Sequence, residues 1–288
     1  MRWTPGDRSH IEDARGRSMM GGRGVPLGIG GLLAVLLVSW LTGVDPMSLL
    51  NSVEQAPTNS VGTTGEVRTT PEEEQLVNFV DAVMRDAQQT WHELAPGRYQ
   101  TTRAKLFRDA IDSACGFAQS ATGPFYCPGD RLVYLDLGFF AELDRRFGAP
   151  GDFAQAYVLA HEIGHHVQTV FGIEPKVRQA QQARPSQANA LSVRLELQAD
   201  CFAGVWGSAA SKQGRFLQGR IELESGDVEE GLRAAAAIGD DRLQKMQTGR
   251  VFPDRFTHGT SEQRTTWFRR GLDSGDPDAC NTFGSDGT

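Results

Sequence analysis

The body of the sequence has no run of lysine and arginine, and acidic residues outnumber basic ones, 36 to 29, for a net charge of −7. Nucleic acid is therefore excluded as a partner, because phosphate binding needs a basic patch or stripe. Cysteine is scarce, at four in 288 residues, and no two cysteines have CxxC spacing. That excludes a structural zinc site of the cysteine type. There is no internal repeat and no βαβ alternation, which leaves α+β as the fold class, mainly helical with a small sheet. Hydrophobic residues make up 39% of the chain, enough for a sizeable core, so wholesale disorder is excluded as well.

Charge is also missing from one long segment. From Val25 to Val44 no charged residue occurs, and such a run as a helix spans roughly 30 Å, the thickness of a bilayer core. Leu41 to Pro46 offers no small-x-small cleavage site, so the segment reads as one uncleaved transmembrane helix rather than a signal peptide. Arg2, Arg8, Arg15, Arg17 and Arg23 precede it, against Asp7, Glu12 and Asp13, while Asp45 and Glu54 follow. The positive-inside rule then predicts a cytoplasmic N-terminal segment (1–24), an anchor (25–44), a flexible linker rich in Thr, Ser, Gly and Pro (45–70) and an extracytoplasmic domain (71–288).

An even number of cysteines in an exported body predicts two disulfides. Cys115 with Cys127 is the economical pairing, since Gly116, Gly123 and Pro124 let the chain between them turn. Cys201 with Cys280 then ties the C-terminus to the core. Four free thiols, or Cys201 as a metal ligand, are the alternatives.

Thr70-Pro71-Glu72-Glu73 opens the body with a helix-start signature, and apolar residues at helical spacing follow to residue 94. Residues 131–137 read as a strand, either an edge that binds extended peptide or an ordinary core strand. Further helices are predicted at 139–147, from Asp152 to Phe171, from Ser186 to about Ser211, from Asp227 to Ile238, and from Ser261 to about Arg270.

The chemistry sits in His161-Glu162-Ile163-Gly164-His165. Two histidines four apart share one helix face and can both reach a zinc ion at about 2 Å. Glu162 points close by without being a ligand, where it can take a proton from an activated water. A catalytic site needs a third ligand, and Leu195-Glu196-Leu197-Gln198-Ala199-Asp200 supplies it. Glu196 and Asp200 are again four apart. Glu196 is the expected ligand, Asp200 the acceptor of a ligand histidine's distal N–H, and the small Ala199 the means of close helix approach. A solvated acidic face is the alternative, disfavoured by Leu191, Leu195, Leu197 and Phe202 around Glu196. His166 points about 100° away from His165 and is expected to pack or hydrogen-bond rather than ligate.

These two segments resemble the gluzincin arrangement of thermolysin and the membrane CaaX-type proteases. More closely, the body resembles the bacterial family of neutral zinc metallopeptidases. The matching stretches are Gly123 to Pro128, Val133 to Asp136, Gly151 to Gln168, Leu195 to Gly204 and Asp278-Ala279-Cys280. The resemblance implies one Zn²⁺ per chain and peptidase activity, without a substrate. It also assigns His258, in Phe256-Thr257-His258-Gly259, to oxyanion stabilisation, and Arg264 to its support or to substrate binding. The expectation is a membrane-anchored, extracytoplasmic zinc endopeptidase acting on protein or peptide. A zinc-bearing scaffold without turnover and a zinc amidase acting on cell-wall peptide are the alternatives.

Overall fold

The computed structural model describes residues 1–16, 67 and 69–284. The expected anchor (25–44) and nearly all of the linker lie outside the described residues. Among the described residues no helix is long and apolar enough to cross a membrane.

The first long helix, α1 (Pro71–Leu94), starts as its sequence dictates. Pro71 takes the first helical position, and the Thr70 hydroxyl accepts the Glu73 N–H at 3.2 Å. Its apolar face buries Val80, Val83, Met84, Ala87 and Trp91. Short strands follow: β2 (Arg103–Phe107), a hairpin of β3 (Ala110–Ser113) and β4 (Gly116–Gln119), then β5 (Phe125–Cys127) and β6 (Leu132–Asp136). With β1 (Ile11–Asp13), the larger sheet has the order β1-β2-β6-β5, in which only β5 runs antiparallel to its neighbour.

This sheet decides between the two readings of the strand at 131–137: it is an interior strand, because β6 is bonded to β2 on one side and β5 on the other. It also takes in the start of the chain. Residues 1–14 belong to the same compact unit as the rest of the folded chain. Ile11 to Asp13 pair with Ala104 to Leu106, and Trp3 lies edge-on to Phe79, ring centroids 5.5 Å apart. Arg8, read as part of a cytoplasmic flank, instead bonds Glu74 at 2.7 Å and Asn78 at 2.9 Å on α1.

The remaining helices are α2 (Gly138–Arg145), α3 (Asp152–Val170), α4 (Ile173–Ala183), α5 (Ala188–Ala210), α6 (Asp227–Ala237), α7 (Asp240–Thr248) and α8 (Ser261–Ser274). Mainly helical α+β is therefore the class observed. Asp152 begins α3 without capping it. The N-cap is Gly151, and the Phe153 N–H is taken by the Glu230 carboxylate of α6 at 3.2 Å. Ser186 likewise falls in a short 3₁₀ turn before α5. The cap of α8 is Thr260, which forms a capping box with Gln263. Helix α3 is buried on nearly every side, enclosed by α1, α5, α6 and the sheet. The two disulfides are Cys115–Cys127 and Cys201–Cys280. The first pins the β3–β4 hairpin to β5, and the second pins α5 to the C-terminal turn Pro277–Cys280.

Candidate metal centre

His161 and His165 lie on adjacent turns of α3, Glu196 and Asp200 on adjacent turns of α5. These helices meet at small residues. A Cβ on Gly164 would lie 2.9 Å from the Ala199 carbonyl oxygen and 3.0 Å from its Cα. Glycine at 164, in the middle of the His-Glu-Ile-Gly-His segment, thus lets α5 approach closely enough for Glu196 to reach the histidines.

The donors converge. Nε2 of His161 lies 3.1 Å from Nε2 of His165 and 3.2 Å from a Glu196 oxygen, and His165 Nε2 lies 3.5 Å from the other Glu196 oxygen. Ligands about 2 Å from a tetrahedral zinc ion stand about 3.3 Å apart, so the spacing fits. Proton placement strengthens the fit. His161 Nδ1–H donates to Asp200 at 2.8 Å, and His165 Nδ1–H donates to the Gln168 side-chain oxygen at 2.9 Å. With neutral imidazoles, both Nε2 atoms present lone pairs to each other and to a carboxylate, a place that suits a cation. The surrounding charge also favours a positive species here, whether a proton or a metal ion. Burial opposes a charged His161, but the carboxylates of Asp200 and Glu196 outweigh it and push its pKa up to about 10. Burial likewise works against ionised Glu196, yet the two imidazoles hold its carboxyl well below the usual range. Of the described residues, His161, His165 and Glu196 form the group that could hold a metal at this cleft.

Asp200 is fully buried and satisfied from three directions. It accepts from His161, from the Tyr157 hydroxyl, and from Arg264, whose Nε and terminal nitrogen lie 2.9 and 2.8 Å from its two oxygens. Burial alone raises its pKa, and the Arg264 guanidinium with His161 brings it below the ordinary aspartate value. Arg264 thus anchors Asp200. It is 2% exposed and also donates to the Ile238 carbonyl at 3.3 Å. Its guanidinium neutralises Asp200 and is among the groups lining the cleft.

Glu162 is 7% exposed beside the donors. Burial pushes its carboxyl up, and the neighbouring imidazoles only partly offset that. It accepts the backbone N–H of Tyr126 on β5, so the sheet edge and the acid–base candidate are joined. His166 braces the same edge. Its Nε2–H donates to the Gln100 carbonyl at 2.6 Å, and its Nδ1 accepts from the Tyr126 hydroxyl at 3.0 Å. Burial depresses its pKa to about 4, so it stays neutral. As expected, it is a hydrogen-bonding residue and not a ligand.

His258 lines the same cleft, which has a volume of about 590 Å³. Its Nδ1–H donates to Asp240 at 3.1 Å, and this bond raises its pKa. Asp240 also accepts the backbone N–H groups of Thr257, His258 and Gly259 at 2.7, 2.7 and 3.1 Å. Sequence reasoning missed Asp240, Gln168, Tyr157 and Tyr126. Gly239-Asp240-Asp241 resembles a helix start, a signal that could have singled out the first. Tyr157 and Tyr126 carry no local signal, since their partners lie far away in sequence, and Gln168, three residues from His165, is one polar residue of a helix among many.

The chain matches the model of the family described as "Putative neutral zinc metallopeptidase" over residues 1–283. It is 48% identical to uncharacterized protein YpfJ of Escherichia coli strain K12 over 299 aligned positions, covering 99% of both chains. It is 44% identical to uncharacterized protein Rv2575 of Mycobacterium tuberculosis over 210 positions, covering 72% of this chain and 68% of the relative. No solved structure matches. The family match takes in residues 1–16, in keeping with their place in the sheet. Converging donors and family match point the same way, and the chain belongs to the neutral zinc metallopeptidase family.

Proposed function

We propose that the protein is a zinc endopeptidase whose metal is held by His161, His165 and Glu196. The observation that carries this reading is the convergence of three ligand-type donor atoms 3.1–3.5 Å apart, with the buried carboxyl of Glu162 beside them. A bound zinc ion supplies Lewis acidity, which lowers the pKa of water and polarises a peptide carbonyl. Glu162 accepts the proton of the attacking water and passes it to the leaving amine; its upward-shifted pKa suits a group that must both take and give a proton. His258, kept protonated by Asp240, donates a hydrogen bond to the charge that develops on the carbonyl oxygen.

The substrate lies along β5. This strand is the sheet edge at the cleft, and Phe125 and Tyr126 line it. Its edge, on which no further strand is paired among the described residues, suits an extended peptide added alongside. Val158, one turn before His161, lines the cleft, as do the apolar Phe139, Phe147, Ile238 and Leu243 and the polar Thr169, Glu174 and Ser192. The apolar part of this lining suits a large apolar side chain of the substrate. The two disulfides suit work in an oxidising compartment outside the cytoplasm.

The test is metal analysis of the purified full chain with assays on casein, a peptide library and peptidoglycan fragments. Wild type is expected to carry one zinc and to cleave peptides. Glu162→Gln is expected to keep the zinc and lose about 10²- to 10⁴-fold in turnover. A Glu162→Gln variant as active as wild type sinks the mechanism, and cleavage of peptidoglycan fragments alone makes the protein an amidase instead.

A further inference from the structure

The two ligand histidines are oriented by unlike partners. His161 donates to a carboxylate, Asp200, which Arg264 neutralises. His165 donates to a neutral amide, Gln168, which is fully buried one turn further along α3. An amide can present either end to an imidazole, so something must decide which. The Gln168 NH₂ group donates to the Leu195 carbonyl at 2.7 Å and to the Gln198 side-chain oxygen at 3.1 Å. The Leu195 carbonyl can only accept, which fixes the NH₂ end of Gln168 there and turns its oxygen to His165. Gln198, 5% exposed, is fixed in the same way, since its NH₂ group donates to the Cys280 carbonyl at 2.9 Å. Cys280 is held by its disulfide to Cys201, the residue after Asp200. Two backbone carbonyls thus dictate the polarity of the whole chain of bonds that ends on His165.

We propose that Gln168 is a positioning residue that holds His165 with Nδ1 protonated and Nε2 turned to the metal, and that Gln198 and the disulfide-anchored C-terminal turn keep Gln168 in that orientation. The neutrality of the amide has a reason. The two positive charges of a zinc ion are balanced by Glu162 and Glu196, and Asp200 by Arg264, so a further carboxylate at 168 would leave buried charge uncompensated. The inference rests on the metal-site reading above and adds to it the route by which the second histidine is held.

The experiment compares the full oxidised chain with Gln168→Met and Gln198→Met. Both substitutions preserve side-chain length and remove the amide. Zinc affinity is measured by chelator competition, ligand geometry by the visible spectrum of the cobalt-substituted protein, and folding by the thermal midpoint of the metal-free chain. Gln168→Met is expected to weaken zinc binding about 10- to 100-fold and to shift the cobalt bands. Gln198→Met should do the same to a smaller extent, and it decides the matter if Gln168→Met does not fold. Zinc affinity within twofold of wild type in the folded variants overturns the inference. So does weaker binding with an unchanged cobalt spectrum, the mark of a merely structural role. A wild-type chain that takes up no zinc overturns the metal site itself, and the inference with it. Wild-type uptake matched by Gln168→Met overturns the inference alone.

Discussion

At the scale of single residues, the site depends on carboxylates whose charge is set by their neighbours. Asp240 is the clearest case. Burial would raise its pKa, but its bonds to His258 outweigh that and lower it, while His258 is raised in return. A raised His258 stays protonated to higher pH, so it remains a hydrogen-bond donor over more of the neutral range. Asp240→Asn removes the carboxylate, and the alkaline limb of the turnover–pH profile is expected to move to lower pH while zinc content stays unchanged. A limb that stays in place removes His258 from the reaction. Much of this layer was legible in the sequence, because His161, Glu162 and His165 are one helical turn apart and Glu196 and Asp200 repeat the spacing. Asp240 was not, because a hydrogen bond between distant segments leaves no periodic trace, and Gln168, though one turn from His165, looks in sequence like any polar helix residue.

Among elements, the decisive contact is the crossing of α3 and α5 at Gly164 and Ala199. A methyl group at 164 meets the Ala199 backbone at 2.9–3.0 Å, tighter than ordinary packing allows. Gly164→Ala is expected to destabilise the fold by about 1–3 kcal/mol in denaturant titration. It should also weaken zinc binding, because Glu196 lies one turn from the contact. Unchanged stability and affinity would mean that the helices part without disturbing the site. The sequence revealed the long helices because their apolar faces recur at helical spacing. It hid β2, the β3–β4 hairpin, α4 and α7, which are short or largely polar. It left open whether β6 was an edge or an interior strand, and gave no sign that three-residue β5 holds the edge. An apolar strand is better suited to a sheet interior, where both neighbours cover it, and the polar backbone of a short edge is what a substrate can use.

For the whole molecule, the disulfides and the N-terminal strand decide what holds together. In the chain-entropy model, closing the long loop between Cys201 and Cys280 is worth about 4–5 kcal/mol, against about 3 kcal/mol for the short loop between Cys115 and Cys127. Replacing the first pair by alanine should therefore cost more in chemical denaturation than replacing the second. Equal losses would point to strain or residual structure in place of loop entropy. The fold places Ser9 and Ser186, both exposed, in one compact unit. Ser9→Cys and Ser186→Cys variants are thus expected to react with a membrane-impermeant maleimide from the same side of the cell membrane. Labelling from opposite sides would mean that β1 leaves the sheet in cells. The charge pattern of the first 24 residues could not reveal this, because an arginine in a basic flank and one paired with a helix, as Arg8 is with Glu74 of α1, look alike in sequence.

The register of β1 on β2 also has a consequence in time. Ile11 pairs with Ala104, so the strand leaves the ribosome well before its partner. At the usual 5–20 residues per second the wait is roughly 5 to 20 seconds. Throughout that interval the strand has no sheet to join. β2 is made before β5 and β6, so β1 on β2 is the first pairing of the sheet that the order of synthesis allows, and whatever handles the N-terminal segment in the meantime must leave β1 free to make it.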